Sequence, residues 1–201
     1  MYRDYRLILA SASPRRADLL RRMGFRFDIL TGEVDEDDPD ISDPGALTMA
    51  LSRRKAESVL QHVKAGIVIG ADTVVYWDGE IMGKPADLAE ASGMLKKLSG
   101  QTHHVYTGFT LIQSEGMILS DVEETAVTFR NLDDWEIADY VQSGGPLDKA
   151  GAYGIQDRSG LFVDRIEGCF YNVVGFPLTK FFQGLKQMAD VDTIRRFIGR
   201  Q

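Results

Sequence analysis

Ile67-Val68-Ile69-Gly70-Ala71 is a short run with no polar side chain. Its length suits a strand, and its unbroken apolar character suits a strand buried on both faces, as inside an α/β sheet. The run ends at Asp72-Thr73. Ligand sites in such folds gather at the carboxyl ends of strands, so Asp72 stands where a site would be.

Working towards the N-terminus, Arg6–Ala10 reads as a second buried strand. Ser11-Ala12-Ser13-Pro14 follows, with Ser13 as a predicted N-cap and Pro14 at the first helical position. The helix is predicted over Arg15–Met23, and Gly24 sits where a C-terminal glycine belongs. Phe25–Thr31 alternates like a strand. Asp43-Pro44 opens a helix to about Lys64, with Leu47, Leu51, Ala56, Val59, Leu60 and Val63 inward.

Towards the C-terminus, Val74–Trp77 and Glu80–Met82 flank Asp78-Gly79, a hairpin signature. Asp87–Leu98 reads as a helix. His103–Gln113 and Met117–Arg130 read as an antiparallel pair, and Leu132–Val141 as a helix broken by Gly144-Gly145-Pro146. Leu161–Ile166 and Tyr171–Val174 are predicted strands; Pro177–Met188 and Val191–Ile198 are predicted closing helices. Interleaved strands and helices with hairpins predict an α/β fold whose sheet is mixed.

The chain has 201 residues, which suits one domain over 1–201. It carries 44% hydrophobic and 26% charged residues, ordinary for a soluble globular protein, and a net charge of −7 that argues against a broad nucleic-acid coat. No apolar run reaches the roughly 18 residues of a membrane helix. The apolar Leu7-Ile8-Leu9-Ala10 that follows Met1–Arg6 is too short for a signal-peptide core. A single cysteine, Cys169, excludes an internal disulfide and a zinc site of several thiolates. The expectation is a cytoplasmic protein without membrane or nucleic-acid partners.

Charge is uneven along the chain. Residues 1–26 carry seven arginines (3, 6, 15, 16, 21, 22 and 26) against Asp4 and Asp18. Residues 33–43 carry seven acids and no base. Two solvated faces would explain this. So would a few basic groups holding an anion and a few acids holding its metal.

Several segments could carry such chemistry. Ser11-Ala12-Ser13-Pro14-Arg15-Arg16 lies at a strand-to-helix junction, where unpaired N–H groups, hydroxyls and guanidiniums suit phosphate oxygens. The glycines of a P-loop are missing, and a merely capped helix fits as well. Asp72 is a turn former unless partnered; Glu36 could be the second carboxylate of a magnesium site. Lys55 and Lys84 matter if they converge on one anion and are otherwise solvated. Asp148–Gln156 combines small residues with a glutamine whose amide matches a uracil or thymine edge, though a glycine-rich turn with an incidental glutamine reads equally well. His62, His103 and His104 have no ligand spacing.

Together these segments resemble the Maf family of nucleoside triphosphate pyrophosphatases over about residues 6–187. The markers stand in family order: Ser11 to Arg16, Val34-Asp35-Glu36, Arg54-Lys55-Ala56, Gly70 to Thr73, Lys84-Pro85, His104 to Gly108, Asp148 to Gln156, and Asn172 to Pro177. The resemblance implies an elongated mixed β-sheet with flanking helices and two lobes around a central cleft, similar to inosine triphosphate pyrophosphatases. It implies hydrolysis of a nucleoside triphosphate to the monophosphate and pyrophosphate with a divalent cation, Mg or Mn.

By the same resemblance Asp72 is the catalytic proton acceptor, Lys55 and Lys84 are active-site lysines, and Glu36 joins Asp72 at the metal. Ser11, Ser13, Arg15 and Arg16 would bind substrate. The family's dTTP/UTP branch carries arginine, threonine and glutamine at specificity positions that map onto Arg15, Thr73 and Gln156. The tryptophan and glutamate of the 7-methyl-GTP branch are absent, while Gly83 stands where pyrimidine-type members often have glutamate. A homodimer is expected by family analogy. The alternative is a non-catalytic nucleotide- or nucleic-acid-binding regulator of cell division.

Overall fold

Residues 5–36, 38 and 40–199 are described by the computed structural model. The expected domain limits at 1 and 201, Met1–Asp4 of the N-terminal reading, and Asp37 of the acidic run lie outside them. In chain order the elements are β1 (Arg6–Ala10), α1 (Pro14–Arg22), β2 (Asp28–Ile29), α2 (Pro44–Leu60), β3 (Gly66–Trp77), β4 (Glu80–Met82), α3 (Leu88–Leu98), β5 (Thr102–Gln113), β6 (Ile118–Phe129), α4 (Asp134–Gln142), β7 (Val163–Glu167), α5 (Phe170–Val174), α6 (Leu178–Met188) and α7 (Val191–Phe197). Short 3-10 turns fill Gly145–Asp148, Ala150–Ala152 and Arg158–Phe162.

The strands form one seven-stranded sheet in the order β2-β1-β3-β5-β6-β7, with β4 beside β3. β1 pairs in parallel with β2 and with β3, whereas β3–β4 and β6–β7 are antiparallel. The sheet is therefore mixed, as the interleaved pattern predicts. Among the described residues no helix is long and apolar enough to cross a membrane.

The chain divides into two compact units, and β3, β5 and β6 contribute residues to both. The first unit holds residues 1–72, 107–123 and 175–201. In it, Leu7, Leu9, Ile67, Ile69 and Phe109 are fully buried. The Phe176 ring lies 6.4 Å from Phe109 and 5.0 Å from Phe181. Ile8, Val68 and Ile112 instead pack with Ala56 and Val59 of α2. Alternate residues of the strands thus serve different clusters, which is why the run from Ile67 has no polar member.

Two glycines let α2 lie close to the strands. A β-carbon on Gly70 would come within 1.9 Å of the Ser52 carbonyl oxygen, and one on Gly108 within 2.4 Å of the Thr48 carbonyl carbon. The Asp43 carboxylate caps α2 by accepting from Ala46 N at 2.6 Å, as expected.

The second unit holds residues 73–106 and 124–174. Its core joins Val75, Met82, Leu95, Leu98, Val127, Phe129, Ile137 and Phe162. His103 is also fully buried there, its ring edge-on to Phe129 at 4.9 Å and its Nε2 2.8 Å from the Tyr153 hydroxyl.

Three elements depart from the sequence reading. The two expected strands on either side of Asp72-Thr73 are the single strand β3; an ion pair satisfies the Asp72 carboxylate there. The strand expected over Phe25–Thr31 shrinks to β2, because Phe25 turns inward to meet Phe181 at 5.4 Å. The strand expected over Tyr171–Val174 lies in helix α5. The buried Asn172 side chain decides that segment: its Nδ2 donates to Val105 O and to Thr125 Oγ1, both at 2.9 Å. Such anchoring outweighs β-propensity.

Candidate active site

Lys55 lies on the face of α2 that the glycine seats bring down to β3. Its Nζ is 2.6 Å from Asp72 Oδ1 and 2.5 Å from Glu36 Oε1. The Lys55 and Asp72 side chains are only 15% and 11% exposed, whereas Glu36 is 48% exposed. The acidic stretch is thus tied to the middle of α2, and the neighbouring Arg54 pairs with Asp38 in the same way. Two carboxylates reach one ammonium, so a single cation can serve both. A pair of carboxylates is the donor set magnesium takes when substrate oxygens and water complete its shell. The residues present fit a divalent cation on that ground. Among the described residues no cluster of three or more His, Cys, Asp or Glu gathers as a self-sufficient metal cage.

Arg16 approaches the same acids. Burial pulls its guanidinium below its usual value, Asp72 pulls it back, Arg15 adds to the lowering and Glu36 opposes it. Its Nε donates to Gly175 O at 2.9 Å and its Nη1 to Ser11 Oγ at 3.1 Å. Arg16 therefore fastens the turn before α1 to the segment before α6. Ser11 is buried and also accepts from Ser13 N at 3.2 Å. Ser13 stands at the N-cap of α1 in extended conformation but makes no side-chain cap bond. Arg15 is half-buried.

In the second unit Thr73 follows Asp72 on β3 and is half-buried, while Lys84 and Gln156 are exposed. Gly151 N donates to Gly83 O at 3.0 Å, which ties the segment before Gln156 to the residue before Lys84. Gly151 has φ +65°, and a β-carbon there would meet the Val75 side chain at 2.8 Å, so both backbone and space require glycine.

Asp157, next to Gln156, is the fastener of its turn. Its carboxylate accepts from Ser159 N at 2.8 Å, Ser159 Oγ at 2.6 Å and the Tyr140 hydroxyl at 3.2 Å. Lys149 Nζ lies 3.4 Å from it and 2.7 Å from Asp148. Burial is the main cause that pushes the Tyr140 hydroxyl up to about 12, keeping it protonated as a donor.

Within the first unit, then, Glu36, Lys55 and Asp72 come together with Arg16 in electrostatic reach. Sequence reasoning missed three contributors: Asp157, the seat formed by Gly70 and Gly108, and the Gly175 carbonyl. Gly70 left a trace, being a residue with no side chain to pack inside an otherwise apolar strand. Asp157 caps the turn over Arg158–Phe162 by accepting from Ser159, which is a local signal, whereas Tyr140 and Lys149 reach it only through tertiary placement.

Residues 6–188 match the family described as Maf-like protein. The "dTTP/UTP pyrophosphatase" of Carboxydothermus hydrogenoformans is 48% identical over 183 residues, covering 90% of this chain and 98% of that one. Proteins of the same description from a Geobacillus species and from Symbiobacterium thermophilum are 47% and 48% identical over 182 and 181 residues. Each of those alignments covers 90% of this chain, with 97% and 93% of the respective relatives.

Proposed function

The chain belongs to the Maf family, and from that premise we propose that it hydrolyses dTTP and UTP to the nucleoside monophosphate and pyrophosphate. The observation that carries the reading is the single Lys55 ammonium held between Asp72 and Glu36. It fixes the Asp72 carboxylate as an acceptor for the proton of an attacking water and offsets part of the negative charge a triphosphate would meet there.

Asp72 takes the proton of the water whose oxygen bonds to the α-phosphorus. The bond from that phosphorus to the bridging oxygen breaks, and pyrophosphate leaves. Lys55 fixes the Asp72 carboxylate and supplies positive charge beside it. Lys84, Arg15 and Arg16 oppose the charge that builds on the leaving group. Ser11 and Ser13 bind phosphate through the turn that opens α1. Gln156, with Thr73, reads the pyrimidine edge through its amide. Glu36 and Asp72 would hold a divalent cation, Mg or Mn; when bound, it neutralises phosphate charge and acidifies water.

The test is incubation of the purified protein with UTP or dTTP and Mg²⁺, with no acceptor present. The expected products are the nucleoside monophosphate and pyrophosphate. Release of orthophosphate instead, or no turnover of either nucleotide, overturns the reading. The same family reading carries a homodimer in the cytoplasm, and sedimentation at micromolar concentration tests the dimer.

A further inference from the structure

The arginine-rich N-terminal stretch is only partly used by the site at Asp72. Arg6 and Arg26 from that stretch, with Arg196 of α7, line a separate surface pocket of about 320 Å³. Tyr5, Phe27 and Phe197 supply its aromatic walls. Among the described residues of the lining Asp28 is the one carboxylate, and it pairs with Arg6 at 3.3 Å. Among the described residues the lining carries three guanidiniums and one carboxylate, with Asp190 in electrostatic reach of Arg196, which leaves a local excess of positive charge on a chain whose net charge is −7.

Backbone and ring contacts hold this place together. Arg26 N donates to Phe197 O at 2.6 Å, and Gly199 N donates to Gly24 O at 3.0 Å. The Tyr5 ring stacks over Phe197 at 6.3 Å and 17°. Arginine forks match phosphate oxygens, and aromatic faces take up flat rings and support nearby cations. The volume lies at the small end of the roughly 300–1,000 Å³ typical of ligand sites.

We propose that this pocket is a second nucleotide site. It takes a mononucleotide, with the phosphate on Arg26 and Arg196 and the base against Phe27. None of these residues belongs to the machinery around Asp72, so the inference stands apart from the proposed reaction.

The experiment is titration calorimetry of the full chain with UMP and, separately, with inorganic phosphate. The wild-type protein is compared with R26Q/R196Q and with Phe27→Leu. Two UMP sites are expected for the wild type. In R26Q/R196Q the affinity of one of them should fall at least tenfold, with initial rates of dTTP hydrolysis unchanged. Phe27→Leu should weaken UMP at that site while leaving phosphate binding as it was. UMP binding that R26Q/R196Q leaves undiminished at every site overturns the proposal, whatever the number of sites in the wild type. Inorganic phosphate binding as tightly as UMP, or equal losses of both ligands in Phe27→Leu, overturns the assignment to a nucleotide. Matching circular dichroism and melting curves exclude misfolding as the cause of any loss.

Discussion

Gly70 lies directly beneath the backbone of Ser52, with room for hydrogen and none for carbon: a β-carbon would sit 1.9 Å from the Ser52 carbonyl oxygen and 2.9 Å from Ala56 N. The obstructing atoms are helix backbone, which cannot swing aside as a side chain could. Three residues beyond Ser52 on α2 is Lys55, and two beyond Gly70 on β3 is Asp72. The glycine therefore sets the height at which the ammonium meets its carboxylate.

Gly70→Ala is expected to lift α2 and to cost about 1–3 kcal/mol or more of stability, the usual range for overpacking. The proposed hydrolysis should fall further than melting alone explains. Urea denaturation and kcat/KM on the folded fraction check this; a variant as stable and active as the wild type shows that the seat is not needed.

Asp72→Asn keeps the shape of the side chain and removes its charge. Lys55 retains Glu36 at 2.5 Å, so the folded state should persist. Pyrophosphate release should drop by at least about 10²–10³, the range seen when one preorganised electrostatic group is removed. Turnover of dTTP at the wild-type rate would remove Asp72 from the chemistry.

Asp157→Ala deprives Ser159 N and the Tyr140 hydroxyl of an acceptor. The expected cost is about 1–3 kcal/mol, with faster hydrogen exchange at the Ser159 amide. Gln156→Glu changes the reading group itself and should reduce UTP and dTTP turnover while sparing the binding of inorganic triphosphate. Equal losses for nucleotide and inorganic triphosphate would mean that Gln156 does not read the base.

His103 gives stability a pH dependence of known sign. Burial is the main reason its imidazole is pulled from 6.5 down to about 3, with His104 adding to the effect. Between those values the unfolded chain binds the extra proton and the folded chain does not. The contribution is complete above pH 6.5 and is lost as pH falls towards 3, by on the order of 3–5 kcal/mol in all. Melting temperatures of the wild type should therefore decline through this window. In His103→Gln that decline should be shallower, and parallel curves for the two proteins would refute the assignment.

How far the sequence could be read depended on whether a segment is governed by its own residues. The run from Ile67, the Asp43 cap and the Asp-Gly hairpin are local signals, and all three have their structural counterparts. Tyr171–Val174 is different, because the conformation follows a buried amide whose partners come from β5 and β6. The short β2 is a similar case, since Phe25 is drawn to a ring on α6. Asp72 and Glu36 could be paired on chemical grounds before any coordinates. That Lys55 stands between them could not, because the height of α2 depends on two glycines and an approach no spacing rule encodes.

The ammonium between Asp72 and Glu36 has a consequence for how the folded chain survives without ligands. These acids do not repel each other across an empty hollow, because an internal counter-ion is covalently attached to the scaffold. The fold does not depend on an ion to keep these acids together: a chelator should silence the proposed chemistry and lower the melting temperature only by the stabilisation a bound cation adds through linkage, without unfolding the chain.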